Sequence, residues 1–126
     1  MRLLLDSHVV LWIAGDITPP KGRSEAIIKS AREVFYSAST LWELGIKRSK
    51  GKLDYPDILV PDLIANGFVE LPITVAHAER AAALPLHHQD SFDRMLVAQA
   101  QAERLTLVTA DRLLSSYDVE ILDPRR

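Results

Sequence analysis

The chain has 126 residues, 48% of them hydrophobic and 25% charged, with a formal net charge of -2 and no cysteine. This is long enough for one domain with a real core and short for two. It excludes disulfides, thiolate metal sites and a polycation that grips nucleic acid by overall charge. No apolar run is long enough to span a bilayer, and the N-terminus lacks a basic segment followed by a leader-like apolar stretch, so a cytoplasmic location without a membrane partner is expected.

In chain order, "RLLL" (2–5) is an apolar run without alternation, the pattern of a strand buried on both faces. "HVVLWIAG" (8–15) reads as a short helix closed by Gly15, and "DITPPKGRS" (16–24) as a surface loop. Ser24 is the expected N-cap of a helix over "SEAIIKSA", followed by a strand over "EVFYSA" (33–38). "STLWELGIKRSKG" (39–51) places Leu41, Leu44 and Gly45 on one helix side and stops at Gly51. "PDILVPDLIANG" (56–67) is a helix interrupted by Pro61, and "FVELP" (68–72) is a strand. "TVAHAERAAAL" and "DSFDRMLVAQAQAERL" are alanine-rich helices, and "LTLVT" (105–109) and "VEIL" (119–122) are the last strands. Strands alternating with helices predict one α/β domain over residues 1–126, with a mostly parallel sheet of about five strands.

In such sheets ligands bind beyond the carboxyl ends of the strands, so the polar residues that follow each strand matter most. "LLLD" puts Asp6 at the end of the first strand, and "VTAD" puts Asp111 at the corresponding place after the fourth. An unpaired ionised carboxylate is costly to bury, so Asp6 belongs at an exposed strand end or beside positive charge. Glu43 follows the second strand, and Asp93 lies in the first turn of the helix leading into the fourth, with Asp90 three residues earlier. Each acid also has a plain structural reading. Asp6, Asp90 and Asp111 are natural helix caps, Asp93 suits a helix N-terminus, and Glu43 forms an i,i+4 pair with Lys47. Those readings leave unexplained why the acids converge on one sheet edge. Clustered carboxylates repel unless a cation neutralises them, and magnesium or manganese prefers such oxygen ligands. Metal-assisted phosphodiester hydrolysis is the chemistry this constellation suggests.

Among the other polar residues, Lys47, Arg48, Lys50 and Lys52 form a basic cluster, and Arg94 and Arg112 each follow a candidate acid. The cluster suits nucleic-acid phosphates or a solvated helix end, and each of the two arginines suits a carboxylate, a phosphate or a solvated helix position. His87-His88 reads as a nucleic-acid contact or plain loop rather than a zinc site, since adjacent histidines diverge and no thiolate completes a ligand set. His8 is placed on the first helix near the acids. Trp12 and Trp42 are expected to fill the core or a dimer interface rather than stack on bases.

The blocks "LLLDSHVVLW", "SASTLWELGIK...GKL", "HHQDSFDRMLVAQA" and "LVTAD", in that order, resemble the four acidic blocks of PIN-domain ribonucleases, most nearly the VapC-type toxins of bacterial toxin–antitoxin pairs. The resemblance spans nearly the whole chain and implies a three-layer α/β/α fold. It matches Asp6, Glu43, Asp93 and Asp111 to the family's catalytic acids, with Asp6, Asp93 and Asp111 as the metal ligands. It also matches Thr109 and Ser7 to supporting polar neighbours. A magnesium or manganese cofactor, an RNA substrate, a homodimer and an antitoxin that enters the active-site groove are implied with it. Where related sequences often have proline, this chain has Ser91, so Asp90 competes with Asp93 for the metal. A PIN-like module that binds RNA or protein without cutting is the main alternative. A phosphoacceptor receiver domain fits less well, lacking paired acids at the first strand and a lysine after the last. A dehalogenase-like phosphatase would want D-x-D where this chain has "DSH".

Overall fold

Alternation along a strand sends Leu3 and Leu5 to one face and Leu4 to the other, so the opening run needs cover on both sides. The computed structural model, which describes residues 1–15 and 20–126, provides it. β1 (Arg2–Leu5), α1 (Ser7–Gly15), α2 (Gly22–Ser30), β2 (Glu33–Ser37), α3 (Ala38–Ser49) and α4 (Leu59–Ala65) form the first half. β3 (Val69–Leu71), α5 (Val75–Ala83), α6 (Ser91–Glu103), β4 (Thr106–Val108), a 3-10 turn (Arg112–Ser116) and β5 (Ile121–Leu122) follow.

The strands pair in the order β3-β2-β1-β4-β5, all parallel. Register aligns Leu5 with Tyr36 and Val108, and Leu4 with Phe35 and Leu107. The first set packs with Val9, Val10, Leu44, Leu59 and Leu63 from α1, α3 and α4. The second packs with Leu96, Val97 and Ala100 of α6, and with Leu114 and Tyr117 at the 3-10 turn. Leu3, Leu4 and Leu5 are fully buried, each contributing about 2 kcal/mol of apolar transfer. The result is the expected α/β/α layering.

From β1 the chain moves outward to β2 and β3, then returns to the other side of β1 for β4 and β5. The strand order therefore reverses between β1 and β4, and the crevice at their carboxyl ends is where ligands enter such sheets. Asp6 and Asp111 follow these two strands.

The structure changes the expectations for Ser24 and Pro61. α2 begins at Gly22, with Lys21 at its N-cap position, so Ser24 lies inside the helix rather than capping it. Its buried hydroxyl donates to Lys21 O (2.8 Å) and Pro124 O (2.9 Å), tying the helix start to the chain end. Residues 22–24 of the expected loop are thus helical, and its residues 16–19 lie outside the described residues. Pro61 interrupts nothing: it is the third residue of α4, in the first turn, where a missing N–H breaks no intrahelical bond.

Candidate active site

Asp6 leaves β1 and starts α1. It is 4% exposed, and its Oδ1 accepts from Val9 N–H at 2.9 Å, the bond of a helix cap. Its Oδ2 accepts from the Thr109 hydroxyl, whose oxygen accepts in turn from Asp111 N–H at 3.1 Å. One hydroxyl thus links the ends of β1 and β4. Burial pushes the Asp6 carboxyl above the usual range, with the Thr109 and Val9 bonds opposing it.

Glu43 lies on α3, whose start is capped by Ser37. The pair with Lys47 forms as expected, at 2.9 Å, but Glu43 is 5% exposed rather than a solvated surface residue. Ser7 donates to its Oε1 at 2.5 Å. The Ser7 next to Asp6 thereby connects the first acid to the second. The Glu43 bond also raises the Lys47 pKa, keeping this cation charged.

Asp90 caps α6: its Oδ1 accepts from Phe92 N–H (2.8 Å) and Asp93 N–H (3.1 Å). Asp93, one turn in, is pushed up to about 7, chiefly by burial, then by the negative charges of Asp90 and Glu43. Asp111 caps the 3-10 turn, its Oδ1 accepting from Leu113 N–H at 2.9 Å. The cap readings are therefore correct for Asp6, Asp90 and Asp111, and they coexist with convergence. At Asp111 the cap uses Oδ1, and Oδ2 lies 3.1 Å from His88 Nε2.

The tightest group among the described residues is Asp93, Asp111 and His88, each with a possible ligand atom within 4.8 Å of the others. His88 Nε2 lies 3.2 Å from Asp93 Oδ2 and 3.1 Å from Asp111 Oδ2. Asp6 and Glu43 lie outside that group, but the charges of both bear on Asp93. Asp90 is outside it too, so of the "DSFD" pair only Asp93 belongs to that group. The sequence alone points to His88 as no more than a nucleic-acid contact or loop residue. The only local signal for its place is a histidine two residues ahead of the acid that caps α6.

The basic candidates divide. Arg94 donates to Ala81 O (3.0 Å) and Leu84 O (2.9 Å), closing the end of α5 rather than facing phosphate. Arg48 pairs with Asp57 at 2.5 Å and lies 4.5 Å from the Tyr55 ring centre. Lys47 is held by Glu43, whereas Lys50, Lys52 and Arg112 are exposed. Trp42 is 64% exposed, so it does not fill the core; it meets Phe92 edge-on at 5.2 Å between ring centres. Trp12 is half-buried against the first core, and His8 is exposed, with its ring 6.4 Å from that of Trp12.

Fold and site together define a doubly wound α/β domain with carboxylates gathered at its switch point. The family model for the PIN domain matches residues 3–120, and the chain belongs to the PIN domain family. The resemblance carried by the four acidic blocks holds at that level. The fold is similar to a chain in the structure of VapBC2 from Rickettsia felis bound to a promoter DNA fragment, at 14% identity and TM-score 0.71, covering 97% of this chain and 98% of that one. It is similar to a chain of FitAcB from Neisseria gonorrhoeae at 20% identity and TM-score 0.66, covering 97% of each. It is similar also to a chain of DNA-bound VapBC from Salmonella typhimurium at 16% identity and TM-score 0.67, covering 98% of each. Among curated proteins no sequence matches this chain.

Proposed function

We propose that this chain, as one PIN-like domain over residues 1–126, is a divalent-metal-dependent endoribonuclease and the toxin of a toxin–antitoxin pair. The observation that carries the reading is the convergence of Asp93 and Asp111 at the switch point, backed by buried Asp6 and Glu43. The donor set fits magnesium or manganese: its carboxylates are hard oxygen ligands, and the Asp93 pKa is raised chiefly by burial, with the charges of Asp90, Glu43 and Asp6 adding to it. Asp6, Asp93 and Asp111 would hold the cation, with Glu43 completing the set. When bound, the metal supplies a water of lowered pKa and offsets charge on the leaving oxygen.

The protein's own residues do the positioning. Thr109 fixes the rotation of the Asp6 carboxylate and the backbone of Asp111. Ser7 and Lys47 hold the two oxygens of Glu43, leaving it lone pairs with which to take a proton from attacking water. Exposed Lys50 and Arg112 contact the RNA backbone. The partner is an antitoxin, a reading supported by a similar structure described as a toxin–antitoxin complex from Klebsiella pneumoniae. We further assign a homodimer in the cytoplasm. No described helix is long and apolar enough to cross a membrane.

The test is cleavage of a mixed RNA pool with magnesium or manganese, then with EDTA, beside Asp6→Asn and Asp93→Asn. Metal-dependent cleavage lost in both variants supports the reading. A folded Asp6→Asn protein that cuts at the normal rate overturns that assignment. RNA binding without cleavage under either metal favours the silent binding module.

A further inference from the structure

The histidine at the centre of the acid group is the feature that the proposed chemistry does not use. His88 is held from two sides. Its backbone N–H donates to the Tyr117 hydroxyl at 3.0 Å, and that hydroxyl donates to Pro85 O at 2.7 Å, pinning the segment before α6 to the residue that follows the 3-10 turn. Its ring Nδ1 accepts from Asp90 N–H at 3.0 Å. An acceptor at Nδ1 puts the proton of the neutral ring on Nε2, because the hydrogen bond at one ring nitrogen fixes the tautomer at the other. The nitrogen that faces Asp93 and Asp111 is therefore a donor. As a metal ligand it would need a bare Nε2 and a proton on Nδ1, directed at the Asp90 N–H.

We propose that His88 is a positioning residue: its Nε2–H donates to Asp111 Oδ2, with Asp93 Oδ2 3.2 Å from the same nitrogen, and so holds the two carboxylates in register to receive a divalent cation. The inference rests on the metal-site reading given above. Asp93 reaches the crevice from α6 and Asp111 from the turn after β4, on separate elements. Without a donor between them, like charge turns the side chains apart, and a cation must draw them back together. Partners of this outer kind typically alter metal affinity by about 10- to 100-fold. The arrangement also gives the backbone amide of Asp90 a function, since it sets the tautomer while the Asp90 side chain caps α6.

The experiment compares wild type, His88→Ala and His88→Gln by titration with manganese, following free Mn2+ by electron paramagnetic resonance, with circular dichroism on each. His88→Ala is expected to bind Mn2+ about tenfold or more weakly. His88→Gln, whose amide can donate to both acids, is expected to regain most of the loss. Ala and Gln variants that bind as tightly as wild type overturn the inference alone. Tighter binding by His88→Ala also overturns it, by making His88 a competitor of the cation. Wild type without saturable binding overturns the metal-site reading and the inference together. Long-range proton–nitrogen spectra of the wild type at pH 8 are expected to show Nε2 protonated and Nδ1 bare, and the opposite tautomer overturns the proposal independently of metal.

Discussion

His77 and His88 are wired alike and sit in opposite electrostatic conditions. Each Nδ1 accepts from a backbone N–H just outside a helix, Thr74 for His77 and Asp90 for His88. Each Nε2 faces carboxylate, Glu103 at 3.1 Å for His77, and Asp93 with Asp111 for His88. Around His77 the account closes. It is 1% exposed, completes a capping box with Thr74, and neighbours Gln99, which joins Ser37 and Pro72 O. Around His88 it does not close, for one donor faces two acids, with Asp6 and Glu43 behind them. A satisfied polar network stabilises a fold; one with surplus charge is where a ligand is expected.

Substitution at His77 sharpens the contrast most. His77→Ala removes a buried ring and orphans the Thr74 amide and a Gln99 contact, so urea unfolding is expected to show a loss of about 3 kcal/mol. Manganese affinity should stay unchanged. If His77→Ala weakened metal binding as much as His88→Ala, the division between the two regions would fail.

A smaller effect is expected from pH. The folded pKa of Asp93, about 7, lies above its usual 3.8, so the folded state holds this proton more tightly than the unfolded chain. The resulting stabilisation is present at low pH and is lost as pH rises from about 4 through 7. Without metal, the protein should melt at a lower temperature at pH 8 than at pH 5.5, and Asp93→Asn should flatten that difference. Saturating magnesium should restore the melting temperature at pH 8. A wild type and Asp93→Asn with parallel pH profiles would break the link between surplus charge and this carboxyl.

The mildest expected effect concerns the exposed cations. Lys50→Ala and Arg112→Ala should each reduce the salt dependence of RNA affinity by about 0.7 in slope, the value for one contact to single-stranded nucleic acid. Arg94→Ala should leave that slope alone and lower stability, since its guanidinium closes α5. An unchanged slope in both lysine and arginine variants would move the RNA path elsewhere.

Much of this was legible in the sequence because parallel strands covered on both faces are mostly apolar, as Leu3–Leu5 and Leu107-Val108 are. Strand ends then give the acids, since one side of a parallel sheet collects every carboxyl end. His88 was not legible, because Tyr117 and Asp111, which define its place, lie more than twenty residues onward. Arg94 failed for a similar reason: its partners are two backbone carbonyls at the end of another helix, which no residue type announces. Trp42 stays out of the core, one of the two places its size suggests, because its position on α3 turns it outward beside Phe92. Ser24 has the right chemistry for a cap, but the helix begins earlier, where the chain end meets it.

The Thr109 hydroxyl bonds to a carboxylate 103 residues earlier in the chain. During synthesis Asp6 therefore leaves the ribosome long before the group that orients it exists, and Asp111 later still. β1 must also wait for β4 to become the middle of its sheet. A growing chain carries the first acid without the rest of its site. For a protein that we propose cuts RNA, the first acid by itself is therefore harmless: the site exists only once β4 and the turn after it have joined β1.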